Sequence, residues 1–497
     1  MPFQPVILWT DALVYLLVLV VFGTILYIRR HPHLRQPWQR VGRSGPGMVG
    51  LVVLGFFVVV GLLDSLHFRA RLEHAAEGGK AAYAVEVTSV LDMLLASLRE
   101  KRERTYSAPL AYRSYSRETI EGPDGQQRRE YARLRHGGAH LENPEKQWVG
   151  DVVRRAIAGA GFGVAAWLVL GSLVCAALGR RQGIGFGRAW HTLVRGDYDI
   201  PWRAVLVTFG GLFVLGGIAV ALSAQYHVLG TSKVGQDVLY QSLKSIRTAL
   251  VIGTLTTLVM LPFAILLGIA AGYFKGWIDD VIQYLYTTLN SIPGVLLIAA
   301  AVLMMQVYID THPQLFPTGT ERADLRLLFL CVILGITSWT GLCRLLRGET
   351  LKLRELDYIQ AAQAFGVSHM RIILRHILPN VMHIVLIAVV MEFSGLVLAE
   401  AVLSYVGVGV DPSMISFGTM INAARLEMAR EPMVWWSLAA AFTFMFALVL
   451  AANLFADAVR DAFDPRVAMA KPFRWRLRRA RKEPAELATA AAGRSAA

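Results

Sequence analysis

Two carboxylates stand inside long apolar runs: Glu392 in IAVVMEFSGLV and Glu400 in LAEAVLSYVG. An ionisable side chain at membrane depth is costly, so it either borders a wet path or is held by an internal partner. Asn290 lies in another apolar run, close to Pro293, and Pro262 interrupts a third. Proline there frees a carbonyl and bends a helix, which fits a moving gate or static packing. Enzyme chemistry is not visible. The chain contains no G-x-x-x-x-G-K-[ST], H-E-x-x-H or G-x-S-x-G pattern. His67, His74, His136 and His140 lack metal-ligand spacing, and Cys175, Cys331 and Cys343 form no C-x-x-C pair. No catalytic residue and no metal ligand is therefore assigned, and ATP binding through a P-loop is not expected.

The most informative segment is 355–380, ELDYIQAAQAFGVSHMRIILRHILPN. Tyr358, Ala361, Ala362 and Phe365 recur at i, i+3, i+4 and i+7, an apolar stripe on a short helix. Gly366 is placed to end that helix. Ser368 is placed to cap a second helix, which is expected to end at Pro379. Small residues leave room for docking into a groove on another protein. An ordinary interfacial hairpin packed on its own spans reads equally well from the residues alone.

The elements that position these residues are membrane spans. Hydrophobic residues make up 55% of the 497 and charged residues only 17%. A soluble chain carries about 25% charged residues, so a soluble enzyme, a disordered chain and a nucleic-acid-binding domain are excluded. A span needs about 20 mostly apolar residues. Nine such stretches are expected at 12–28, 44–63, 156–179, 204–232, 248–274, 281–309, 327–343, 377–405 and 432–456. Gly159/Gly163 and Gly268/Gly272 supply small faces for close helix packing. Arg29 and Arg30 follow the first apolar run rather than precede it, so that run reads as an uncleaved helix, not a signal peptide. With the N-terminus outside and the C-terminus inside, the inside loops hold 27 Lys and Arg and the short outside loops 7, as the positive-inside rule requires. The net charge of +14 is thus explained by cytoplasmic loops rather than by a nucleic-acid partner.

Two segments lie outside the lipid. Residues 64–150 form a polar extracytoplasmic insert, with 82–99 expected as an amphipathic helix and 121–126, EGPDGQ, as a turn. The basic run at 101–104 is interleaved with Glu100 and Glu103, as on a solvated helix. The tail at 467–497 contains KPFRWRLRRARK, which suits an anionic inner leaflet or simply anchors topology.

Residues 360–379 resemble the EAA loop of permease subunits of binding-protein-dependent ABC importers. The pattern reads Gln360-Ala361-Ala362, then Gly366, then His376-Ile377-Leu378-Pro379, with Gln360 and His376 departing from the usual Glu and Ile. RHILPN at 375–380, GTSKVGQDVL at 230–239, GIAAGYFKGWIDD at 268–280, LAEAVLSYVGVGV at 398–410 and DAFDPR at 461–466 are similar to the dipeptide/oligopeptide branch. The resemblance implies a C-type permease for peptides in a bacterial inner membrane. It implies three partners: a B-type second permease, two ATP-binding subunits that hold ATP and Mg, and an extracytoplasmic solute-binding protein. Tyr358, Gln360, Ala361, Ala362, Phe365, Gly366 and Pro379 would then be the ATPase-coupling residues. Glu392, Glu400 and Asn290 are the candidates for the translocation path. The expected fold is all-α and polytopic. It divides into an extension with three extra spans at 1–203, a six-helix permease domain at 204–466 and a basic tail at 467–497. The same machinery with a metal chelate or peptide antibiotic as cargo is the alternative. A stand-alone secondary transporter is a weaker one, because it leaves the EAA loop unexplained and no repeat between halves is visible.

Overall fold

The computed structural model describes residues 3–71, 83–121, 127–312, 314 and 318–463. In chain order the elements are β1 (Phe3–Val6), α1 (Trp9–Arg30), α2 (Pro32–Val41), α3 (Gly45–Ser65), β2 (His67–Ala70), β3 (Thr88–Ser89), α4 (Val90–Leu94), α5 (Ala96–Glu100), β4 (Glu118–Glu121), β5 (Gln127–Glu130), α6 (Pro144–Gln182), α7 (Phe186–Arg195) and α8 (Trp202–Ser223). There follow α9 (Val238–Phe274), α10 (Trp277–Ser291), α11 (Gly294–Thr311), α12 (Gly319–Ser338), α13 (Thr340–Arg354), α14 (Asp357–Ala364), α15 (His369–Ile372), α16 (Leu378–Val406), α17 (Phe417–Glu427) and α18 (Trp436–Phe463). Among the described residues, nine helices are long and apolar enough to cross a membrane. The chain is an all-α polytopic membrane protein.

Topology is written in two contacts. β1 pairs antiparallel with β2, which pairs with β3, so the N-terminus and the insert share one side. On the other side α2 packs on the end of α18 through Val41, Ala458, Val459 and Ala462, with the Trp38 and Phe463 rings 5.6 Å apart.

Three expected elements differ. The run 281–309 is not one helix: it breaks at Ile292–Pro293 into α10 and α11, where proline cannot donate its backbone bond. The 204–232 run is helical only to Ser223. The 82–99 helix is absent. Instead the Ser89–Asp92 capping box starts a single turn at α4, and Leu95 leaves helical geometry before α5. Tertiary bonds override the local pattern, because the Asp92 carboxylate is taken by Lys244 Nζ at 2.6 Å and the Tyr240 hydroxyl at 2.7 Å. The 122–126 part of the expected turn, between β4 and β5, and the basic tail lie outside the described residues.

Small residues set the closest helix pairs. A Cβ on Gly159 or Gly163 of α6 would fall 2.5 or 2.3 Å from backbone oxygens of α8, Gly217 and Phe213. A Cβ on Gly268 or Gly272 of α9 would fall 2.8 or 2.7 Å from the Cys343 and Arg347 carbonyls of α13. At the centre, α9 packs against α3, α10, α12, α13, α16 and α18. α3 packs on α9 and α18, while α8 pairs with α6 and with α3.

A buried charge network fastens α1 to that core. Arg247 Nη2 of α9 donates to Asp11 Oδ1 at 2.7 Å and Thr10 Oγ1 at 2.9 Å. Asp11 is also held by His67 Nδ1 at 2.7 Å, and Thr10 donates to the Asp324 carboxylate of α12. Burial of an arginine is tolerable only with this degree of pairing.

Candidate functional site

The segment 355–380 folds as a helix-turn-helix. α14 ends in a Schellman turn: Gly366 sits at φ +73°, its N–H donates to the Gln363 carbonyl at 3.0 Å, and the Val367 N–H donates to the Ala362 carbonyl at 3.1 Å. A side chain at 366 would meet open space, so the glycine answers a backbone requirement, not a packing one. Ser368 occupies the N-cap position of α15, but its side chain makes no capping bond.

The second helix does not end at Pro379. It runs on into α16 through a wide π-type turn at Ile373–Ile377, in which the Leu378 N–H donates to the Ile373 carbonyl. Pro379 falls in the first turn of α16, where its missing N–H costs little. Asn380 Nδ2 donates to the His376 carbonyl at 2.6 Å, satisfying one acceptor beside the proline. Gln360, which stands where the pattern has Glu, turns its Nε2 to the Glu355 carbonyl at 3.2 Å.

The hairpin has two faces. Ile359, Ile372 and Ile377 are fully buried in a cluster with Tyr273, Leu342 and Leu346. Periodicity singled out Tyr358, Ala361, Ala362 and Phe365 but missed Ile359, the residue that anchors α14. Tyr358 is 45% exposed and Phe365 87% exposed. Ala361 is exposed with them, while Ala362 is half-buried toward the core. Met370 and Leu374 continue the outward apolar face. Among the described residues nothing covers it, although the hairpin beneath it is firmly seated.

The three path candidates part company. Glu400 is 1% exposed and accepts hydroxyl protons from Ser404 at 2.7 Å and Ser416 at 2.9 Å, tying α16 to the cap of α17. Asn290 Oδ1 accepts from Thr340 Oγ1 at 3.1 Å, linking the end of α10 to the start of α13. Glu392 is half-buried on α16, and among the described residues no hydrogen bond or ion pair meets its carboxylate. Glu392 lies eight residues, about 12 Å along the helix, from Glu400.

On the side of the membrane opposite the hairpin, the insert is clamped to the loop before α9. His227 Nδ1 bonds Asp237 Oδ2 at 2.8 Å, and its Nε2 lies 3.4 Å from Glu103 Oε1, a charge contact rather than an aligned bond. Glu103 accepts backbone N–H groups of Arg135 at 2.9 Å, His136 at 2.8 Å and Gly137 at 3.2 Å. Burial alone would push the imidazole down, but the Asp237 bond and the two carboxylate charges win and raise it to about 9. Burial would likewise raise Glu103, but His227 and the three N–H donors bring it down to about 2. Among the described residues no group of His, Cys, Asp and Glu is arranged to hold a metal ion.

Residues 264–469 match the family described as "Binding-protein-dependent transport system inner membrane component". The chain is 32% identical over 299 residues to a glutathione transport system permease protein of Pectobacterium atrosepticum, covering 54% of this chain and 92% of that protein. The chain belongs to this family of inner membrane components. It is also 31% identical over 239 residues to the oligopeptide permease protein OppC of Mycobacterium bovis, covering 48% of this chain and 76% of that one. The dipeptide permease protein DppC of Lactococcus lactis is 27% identical over 242 residues, covering 49% of this chain and 64% of its own length. The family match opens inside α9 and takes in the hairpin, whereas α1 to α8 precede it. As a permease of this family the chain has a transport role.

Proposed function

We propose that this chain is a peptide-importing permease subunit driven by separate ATP-binding subunits through the 355–380 hairpin. One observation carries the reading: a cytoplasmic helix is anchored by fully buried Ile359 yet leaves Phe365 87% exposed. An apolar side chain so placed on a well-ordered turn is a ready anchor for a partner groove. No P-loop occurs in the chain, so ATP and Mg belong to those partners. The cargo class follows from the relatives, whose names specify glutathione, oligopeptides and dipeptides. A second permease completes the path, an extracytoplasmic binding protein delivers the peptide, and a bacterial inner membrane houses the assembly. Glu392, the carboxylate of α16 that meets no hydrogen-bond or ion-pair partner among the described residues, meets the path or the second permease. ATP and peptide then bias a two-state alternation of the spans.

The test is uptake of labelled di- to hexapeptides by cells lacking the gene. Wild type restores uptake. Gly366→Arg inserts normally but does not restore it, because the side chain projects from the docking face and the left-handed backbone is strained by about 1–2 kcal/mol. Rescue by both versions contradicts the coupling role. Unchanged peptide uptake without the gene contradicts the peptide cargo and points to a metal chelate or peptide antibiotic.

A further inference from the structure

The hairpin touches the transport core in a narrowly defined place. The last residues of α9 receive a side chain from every part of the 354–369 segment. Arg354, at the end of α13, donates from Nη1 to the Tyr273 carbonyl at 2.8 Å. Glu355 holds Lys275 Nζ at 2.8 Å. Gln363 of α14 donates from Nε2 to the Tyr273 hydroxyl at 3.3 Å. That hydroxyl also bonds His369 Nδ1 of α15 at 2.8 Å, with the two rings edge to face at 5.6 Å. Having accepted from Gln363, the hydroxyl keeps its own proton for Nδ1. Tyr273 is 2% exposed, so its hydroxyl and carbonyl meet these partners away from bulk water, whereas the Glu355–Lys275 pair lies at the surface.

The surroundings make this point mechanically distinct. Below it, Gly268 and Gly272 press α9 onto α13, so the two helices form one unit. Beyond it, Lys275 and Gly276 both take positive φ, +57° and +60°, and the chain turns sharply into α10. The isoleucines of the hairpin make non-directional contacts that tolerate sliding. The Tyr273 hydroxyl makes directional ones, which fix the positions of α14 and α15 relative to α9.

We infer that Tyr273 is the positioning residue through which movement of the hairpin is passed into α9. The inference rests on the coupling role proposed above for 355–380. Arg354, Gln363 and His369 converge on this residue so that α14 and α15 cannot shift without carrying the end of α9 with them. From there the motion enters the helix at the centre of the core, which contains Pro262.

The experiment uses the whole transporter in liposomes: this chain, the second permease, the ATP-binding subunits and the binding protein, with a labelled tripeptide. ATP hydrolysis and uptake are measured together. Tyr273→Phe keeps the ring and removes only the hydroxyl. Assembly and hydrolysis persist, while peptide taken up per ATP falls by about fivefold or more, the scale of losing one or both hydrogen bonds of the hydroxyl. His369→Phe, which removes one of the two, gives a loss no larger than that of Tyr273→Phe, and the double variant is no worse than Tyr273→Phe alone, since the His369 bond is already gone. Wild-type uptake per ATP in Tyr273→Phe overturns the inference. So does a parallel fall of uptake and hydrolysis that tracks a loss of folded chain, which marks a merely structural residue. A wild-type complex that assembles and hydrolyses ATP with no dependence on the hairpin, shown by normal coupling in Gly366→Arg, overturns the coupling role itself. Wild type coupled and Gly366→Arg uncoupled, with Tyr273→Phe unaffected, overturns only the role of Tyr273.

Discussion

At the residue scale, His227 shows how single contacts decide what is fixed to what. Its ring lies between Asp237, on the way into α9, and Glu103 of the insert. Its folded pKa of about 9 is above the ordinary value of about 6.5, so the protonated form favours the docked insert. That contribution is complete below the unfolded value and is lost as pH rises toward about 9. Glu103 works in the opposite sense. Its stabilisation is present above the ordinary carboxylate value and is lost only as pH falls toward about 2. Mild acid therefore leaves the insert docked and alkali loosens it. Amide exchange over residues 101–110 should rise between about pH 7 and pH 9, and His227→Gln should flatten that profile. A flat profile in the wild type contradicts the clamp. Pairing of this kind was not visible in the sequence, because Glu103 and His227 are 124 positions apart and nothing local marks them as partners. Glu392 and Glu400 stood out at once as carboxylates in apolar runs. The serines that hold Glu400 were not foreseeable, since Ser416 reaches it from α17 across a turn.

At the scale of elements, glycine spacing was the most dependable signal. Gly159/Gly163 and Gly268/Gly272 each mark a pair of helices whose backbones touch. Gly163→Leu in α6 should wedge α8 away, at the roughly 1–3 kcal/mol typical of overpacking. Gly161→Leu, at a position where a Cβ meets open space, should do nothing. Thermal unfolding of the purified chain checks both. Equal melting of the two variants contradicts the close α6–α8 contact. Helix ends were less legible. Pro379 looked like a stop, but the π-type turn before it lets the helix continue into α16. The 82–99 pattern looked helical, yet Asp92 was drawn to Lys244 and Tyr240 instead. In both cases the deciding bonds come from a geometry or a neighbour that periodicity does not encode. The hairpin was legible in its turn and its exposed stripe. Its anchor was not: Ile359 is one residue out of the stripe and faces the core.

At the scale of the whole molecule, lipid made the spans readable. Among the described residues nine helices are long and apolar enough to span, because a backbone in hydrocarbon must satisfy itself internally. Which helices neighbour one another was not readable, because every lipid-facing and core-facing surface here is similarly apolar. α3 stands on α9 and α18, and α8 pairs with α6 and α3. The first two hundred residues are thus bonded into the body of the permease. Arg247 ties in α1, α3 contributes directly to the packed core, and His227 ties in the insert. The hairpin is the opposite case, seated firmly below and uncovered above. A photo-reactive amino acid in place of Phe365, in membranes containing the complete transporter, tests this most directly. The account predicts a cross-link to the P-loop-bearing ATP-binding subunit, lost in the Gly366→Arg background. Normal peptide uptake with no cross-link to that subunit, or with adducts confined to this chain, would contradict it.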